Sequence, residues 1–309
     1  MDLQQELNKA GGFKNLELLA KQVVEGFIAG MHKSPFHGFS AEFAEHKIYN
    51  QGESTKHIDW KLFAKTDRLY TKRYDEETNL RCHLIVDNSS SMHYPENAGA
   101  TIDNLNKIAF SALASASLMH IFKKQRDAVG LSIYSDNYDF YSPEKGSERH
   151  HQMLLSKLSA AVVSKPVSKR TETYKYLHQI AEKMHRRSLI FVFTDMFQTS
   201  EDDEKLFEGL RHLKYNKHEV VLFHVFDKEK ELTFNFDNQP KRFIDIETGE
   251  HINLYPDTIK DNYEKAVKAY FTNLKLKCGQ YRIKYVEADI NAGFNQILTT
   301  YMIERQKFV

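Results

Sequence analysis

Two stretches, RCHLIVD at residues 81–87 and SLIFVFTD at residues 188–195, are continuous apolar runs that each stop on an acid. An apolar run of this length without polar alternation needs burial on both faces, the condition of a parallel strand covered by helices. EVVLFHVF at 219–226 reads the same way. Helical patterns separate these runs, expected over about 103–124, 147–160, 172–185, 257–277 and 291–306, with a further helix opened by Ser200 and acids in its first turn. AVGLSIYS and YRIKYVEA supply two more strands, and YDFYS turns back on the first of these through an Asp-Asn pair. The expected fold is α/β, a doubly wound, Rossmann-like and mostly parallel sheet with helices on both faces.

Before this pattern begins, Leu16, Leu19, Ala20, Val23, Val24 and Phe27 recur at helical spacing, and Pro35 and Gly38 then break the helix. Residues 1–78 are therefore expected to form a small N-terminal α+β module, and residues 79–309 the main domain. Short alternating strands with the turn signals DNQPK and ETGE mark a hairpin insertion at about 230–255.

Forty-three basic and forty-two acidic side chains among 309 residues give a formal charge of +1, so no global field recruits nucleic acid or an anionic membrane. Two cysteines, Cys82 and Cys278, are too few for a disulfide scaffold. The amphipathic, mixed-charge start lacks the form of a signal peptide, and no apolar run reaches the roughly 18 residues of a membrane span. The expectation is a cytoplasmic protein.

In an open parallel sheet, ligands bind beyond the carboxyl ends of the strands. Asp87 and Asp195 both close strands, and Ser89 and Ser91 alternate with Asp87 in the loop that follows. Thr171 or Thr173, ahead of the helix leading to the Asp195 strand, offers a further hydroxyl. Such an oxygen-only set suits a hard cation such as Mg²⁺, whose oxygens lie near-octahedrally at about 2.0–2.1 Å.

Asp87, Ser89 and Ser91, then Thr171, then Asp195 resemble the metal-ion-dependent adhesion site of von Willebrand factor A domains, D-x-S-x-S, T and D in that order. The resemblance implies that the first Asp, the serines and the threonine hold the cation directly or through water. The later Asp acts mainly through water, and an acidic group of a partner completes the shell. Thr171 matches the family's T-x-T segment by its first threonine, while spacing leaves Thr173 open. Mn²⁺ and Ca²⁺ remain open beside Mg²⁺.

The N-terminal segment, through GESTKHIDW, resembles the signature of the family of unknown function numbered fifty-eight, keeping Gly52, Ile58, Asp59, Trp60, Ala64, Tyr74 and Glu77, with a family-like ETG at Glu247 to Gly249. Glu53 and Lys56 depart from that signature, where Asp and Arg are usual, and Lys lacks the carboxylate-matching fork of Arg. Similar proteins are linked with MoxR-type AAA+ ATPases acting in assembly or maturation of other proteins, which implies such an ATPase as partner. The chain has no phosphate-loop motif of its own.

The residues also admit plainer readings. A strand-terminal Asp with a Ser-rich loop is often a capping arrangement, Asp59 can cap a helix, and Trp60 can anchor the module. His150 and His151, adjacent in sequence, do not share a helix face. A dehalogenase-type phosphatase needs an acid where Ser89 stands, and NSSSM lacks the glycines of a serine-hydrolase elbow. The expected function is a non-enzymatic, metal-dependent interaction adaptor. A metal-independent scaffold acting through the N-terminal module is the alternative, with a Mg²⁺-dependent hydrolase behind it.

Overall fold

The computed structural model describes residues 15–30, 43–49, 58–74, 80–95, 104–135, 138–164, 173–184, 187–196, 203–215, 217–244 and 249–306. Helix α1 (Leu16–Gly30) comes first, followed by strand β1 (Phe43–Ile48), helix α2 (Trp60–Thr66) and strand β2 (Tyr70–Tyr74). β1 and β2 pair antiparallel as a two-stranded sheet, and Ile58 bridges Thr71. α2 starts where Asp59 accepts from the amides of Lys61 and Leu62, an N-cap that satisfies donors the short helix leaves open.

The main sheet is built from β3 (Arg81–Asp87), β4 (Ala128–Tyr134), β5 (Tyr138–Lys145), β6 (Leu189–Thr194), β7 (Glu219–Phe226) and, after the hairpin β8 (Lys241–Ile244) and β9 (His251–Leu254), β10 (Lys284–Asp289). Its order is β10-β7-β6-β3-β4-β5, parallel throughout except for the antiparallel edge strand β5. This is the mixed α/β, mostly parallel sheet expected from the continuous apolar runs. β3, β6 and β7 are buried along almost their whole length because helices cover both faces.

The helices are α3 (Lys107–Lys124), α4 (Glu148–Val163), α5 (Thr173–Lys183), α6 (Asp203–Tyr215), α7 (Pro256–Gln280) and α8 (Asn295–Arg305). Leu84, Val86, Phe191 and Phe223 pack with α3, α4 and α8 on one face. Ile85, Ile190, Val192 and Leu222 pack with α5, α6 and α7 on the other.

α3 is buried from Lys107 to Met119 without a break, since one side meets the sheet and another meets α1. α1 opens the module expected over residues 1–78, and its Leu16, Leu19, Ala20, Val24 and Phe27 belong to the same core as β3 and α3. Its apolar stripe finds cover on α3 and α4.

From β3 the chain moves to β4 on one side, then returns to β6 on the other. This reversal is the topological switch point, where loops diverge and leave a crevice beyond the strand ends. It places the ends of β3 and β6 side by side, with Val86 in register with Phe193.

Candidate metal centre

At the switch point, Asp87 ends β3 and Thr194 ends β6, and Thr194 Oγ1 donates to Asp87 Oδ2 at 2.7 Å. The amide of Ser89 donates to Asp87 Oδ1 at 2.9 Å, so the loop folds back on the carboxylate that precedes it. Ser89 Oγ and Ser91 Oγ lie 3.1 Å apart at the opening of a short 3-10 turn, Ser90–His93. Around this turn, Asn88 donates from its backbone to Tyr134 O and accepts from His93 Nε2 at 3.0 Å, bracing the loop. Ser90 is buried, and its hydroxyl has no partner among the described residues.

Asp87 is 2% exposed. Burial, and then the neighbouring charge of Asp195, push its pKa up to about 6, with the bonds from Ser89 and Thr194 opposing. Two carboxylates have been brought together from strands more than a hundred residues apart, at a cost to the ionised form of the first.

Asp195 is held from the other side. Lys107, the first residue of α3 and 1% exposed, places Nζ 2.8 Å from Asp195 Oδ2 and 2.7 Å from Glu231 Oε1. Burial opposes the ammonium charge, but the two carboxylates outweigh it and hold Lys107 above the usual lysine range. Glu231 is itself pushed up by burial, against the pull of Lys107. The backbone oxygen of Asp195 accepts from His224 Nε2 at 3.0 Å, which leaves His224 Nδ1 to accept from the Tyr285 hydroxyl at 2.7 Å. Burial holds this imidazole neutral, with a pKa lowered to about 4.

Asp87, Ser89, Ser91 and Asp195 thus meet at one place. Thr171, Gly52 and Glu77 lie outside the described residues, as does the side chain of Thr173. Asp59 serves as a helix cap. Trp60, expected as an anchor, is 62% exposed and packs edge-on against Phe63 of its own helix. His150 and His151 are buried in α4, where His150 Nε2 meets the carbonyl of Val129.

Lys107, Glu231 and Thr194 escaped the sequence reading. Lys107 had one visible signal: it is the last Lys, Arg, Asp or Glu before Lys123 in a helix that is otherwise apolar and small. A lysine beginning such a helix requires a buried partner.

Does this set fit a divalent cation? Among the described residues, no group of three or more His, Cys, Asp or Glu converges as a metal site, so hydroxyls must supply the remaining oxygens. The Ser89–Ser91 spacing of 3.1 Å is close to the edge of an octahedron with ligands at 2.0–2.1 Å, about 2.9 Å. The buried Asp87 carboxylate, destabilised by a second acid, gains most from added positive charge. The oxygen set fits.

A cavity of about 630 Å³ lies elsewhere, between α5, α6 and the end of α7, lined by His178, Arg211, His212 and Tyr281. His178 and His212 face each other there, Nδ1 to Nδ1, at 2.8 Å. Among the described residues, no helix is long and apolar enough to cross a membrane.

Uncharacterized proteins from Mycobacterium tuberculosis and Mycobacterium bovis are each 22% identical to this chain over 186 residues, 60% of its length. The chain spans 56% of the length of these curated relatives. Among solved structures, a conserved hypothetical protein, BatB, from Bacteroides thetaiotaomicron aligns with a TM-score of 0.46 at 15% identity, over 74% of this chain and all of that one. An aerotolerance-related membrane protein from Bacteroides fragilis aligns with a TM-score of 0.44 at 14% identity, over 73% of this chain and 99% of that one. The family described as Protein of unknown function DUF58 matches residues 45–272, most of the chain, and the chain therefore belongs to it.

Proposed function

We propose that this chain is a non-enzymatic, cation-dependent adaptor of the cytoplasm, with a von Willebrand factor A-like domain as its binding unit. The observation that carries the reading is the meeting of Asp87, Ser89 and Ser91 with Asp195 at the switch point of the sheet. Asp87 and the two serines would hold Mg²⁺, with Thr171 or Thr173 contributing a further oxygen and Asp195 acting through water. The ion would supply a Lewis-acidic position open to the carboxylate of a partner protein. The rest of the site belongs to the chain itself. Thr194 and the Ser89 amide orient Asp87, while His224 fixes the backbone at Asp195.

The family resemblance points to a MoxR-type AAA+ ATPase as the partner, in assembly or maturation of a third protein. The test is a pull-down from native cytosol with wild type and Asp87→Ala, each with Mg²⁺ and with chelator. An AAA+ ATPase retained only by wild type with Mg²⁺ is the expected result. Equal capture in all four lanes would sink the reading and favour a metal-independent scaffold. One observation supports that second reading: Trp60 and Ile48, both N-terminal to the main sheet, are more than 60% exposed.

A further inference from the structure

Lys107 is placed against two rules at once. A cation in the first turn of a helix opposes the helix dipole, and a lysine this buried requires carboxylate partners. Both are overcome by Asp195 on one side of Nζ and Glu231 on the other. Glu231 is built in as firmly. Its second oxygen, Oε2, accepts from the Asp227 amide at 2.7 Å, its carbonyl accepts from the Tyr263 hydroxyl of α7, and Asp227 in turn caps the Lys228–Leu232 turn. The amide of Lys107 donates to Tyr94 O, which ties the start of α3 to the Ser89–Ser91 loop. Lys107 therefore joins three places, the end of β6 and the turn after β7 through its ammonium and the loop after β3 through its amide.

We propose that Lys107 is a tethered cation that sets the strength of the metal site, neutralising Asp195 so that Asp87 and the serines bind a divalent ion only weakly until a partner carboxylate joins them. The inference rests on the cation reading of Asp87, Ser89 and Ser91. It deepens that reading by explaining why binding would await a partner: one of the two acids at the switch point is already occupied from within. Glu231 is the counterweight, since it shares the ammonium and limits how fully Lys107 claims Asp195.

The experiment is a Mn²⁺ titration of the full chain, followed by the loss of the free-ion EPR signal. It compares wild type, Glu231→Gln, the double variant Lys107→Met with Glu231→Gln, and that double variant with Asp87→Asn added. The double variant loses one positive and one negative charge, so net charge stays constant and any change in affinity is local. It also avoids leaving two buried carboxylates without their cation, the change most able to unfold the protein. Near-UV circular dichroism confirms that each variant is folded.

Mn²⁺ affinity is expected to rise at least about tenfold in the double variant, to fall in Glu231→Gln, and to vanish when Asp87 is also replaced. Movement in opposite directions separates a tethered cation from a merely structural lysine, whose loss would leave the double variant binding no more tightly than Glu231→Gln. Asp87-dependent Mn²⁺ binding in wild type that is unchanged or weaker in the double variant would overturn the role of Lys107 and leave the cation site standing. No Mn²⁺ binding in any variant at millimolar ion would overturn the cation site, and the inference with it.

Discussion

Two clusters in this protein each set serine hydroxyls and carboxylates beside a nitrogen group, an imidazole in one and an ammonium in the other, and differ in what surrounds them. In one, His83 of β3, Ser132 of β4 and Glu144 of β5 form a chain across three neighbouring strands. His83 Nε2 lies 2.8 Å from Ser132 Oγ, and His83 Nδ1 lies 2.7 Å from Glu144 Oε1. These are the separations of a nucleophile, its base and an orienting acid. The histidine and glutamate side chains have no exposure, however, and Ser132 is wholly buried. In the other cluster, Asp87, Asp195 and Lys107 gather where the loops leave the sheet, and Ser91 and Glu231 keep part of their surface in solvent. Distances alone would nominate the first cluster. Access, and the accumulation of like charge, nominate the second.

The sealed cluster should respond to volume. Gly130 sits on β4 where an added Cβ would come 2.5 Å from His83 Nδ1 and 2.8 Å from the carbonyl of Ser142. Backbone on one side and a doubly bonded imidazole on the other leave nothing free to yield. Gly130→Ala should destabilise by about 3 kcal/mol, seen as an earlier midpoint in urea unfolding, while Mn²⁺ affinity of the folded fraction is unchanged. A shift in that affinity would mean the clusters are coupled and would break the comparison.

The open cluster should respond to charge. Asp87 is raised from near 3.8 to about 6, so in the cation-free protein the folded state binds a proton that the unfolded state releases. Stability from this group is present below about pH 4 and is lost as pH rises toward 6. Compared with Asp87→Asn, metal-free wild type should match the variant near pH 4 and fall behind by about 3 kcal/mol at neutral pH. Mg²⁺ should shrink that gap by favouring the carboxylate. Parallel stability curves for the two proteins across this range would show that Asp87 carries no excess charge cost.

His224, under the same crevice, works in the opposite sense. Its pKa is depressed to about 4, so its contribution is present above its unfolded value near 6.5 and is lost as pH falls through 4. For this reason the Asp87 effect must be read as a difference between variants and not from one acid melt.

The open cluster was half legible in the sequence, the sealed one not at all. Asp87 and Asp195 could be read because a continuous apolar run locates a strand, and its final acid then lies at the carboxyl edge. Ser89 and Ser91 followed from their spacing to Asp87. Lys107 pairs across 88 and 124 residues with Asp195 and Glu231, and no local period records such a partner. His83, Ser132 and Glu144 are similarly scattered over three strands, and only register brings them together. The stripe on α1 was plain, but periodicity reveals that a helix has an apolar face without saying which surface covers it. The six-stranded sheet was readable because strand length, turn residues and helix spacing all agree there, while within the insertion expected at about 230–255 the structure pairs β8 with β9 and winds Lys228–Leu232 into a helical turn.

The smallest effects make the sharpest comparison, because they exchange stability for binding between two serines. Ser132→Ala removes the hydroxyl that meets His83 Nε2 inside the sealed cluster and leaves a ring nitrogen buried without that partner. It should cost about 1–2 kcal/mol of unfolding free energy and leave cation binding intact. Ser91→Ala removes a half-buried hydroxyl whose bond is to Ser89 Oγ at the mouth of the crevice. Solvent can satisfy what remains there, so the cost should stay within about 0.5 kcal/mol while Mn²⁺ affinity falls at least about tenfold. A Ser91→Ala variant that keeps its affinity, measured beside Ser132→Ala under the same conditions, would place Ser91 with the sealed residues as loop architecture. The metal site would then rest on Asp87, Ser89 and the threonine, with Asp195 acting through water and further waters completing the shell.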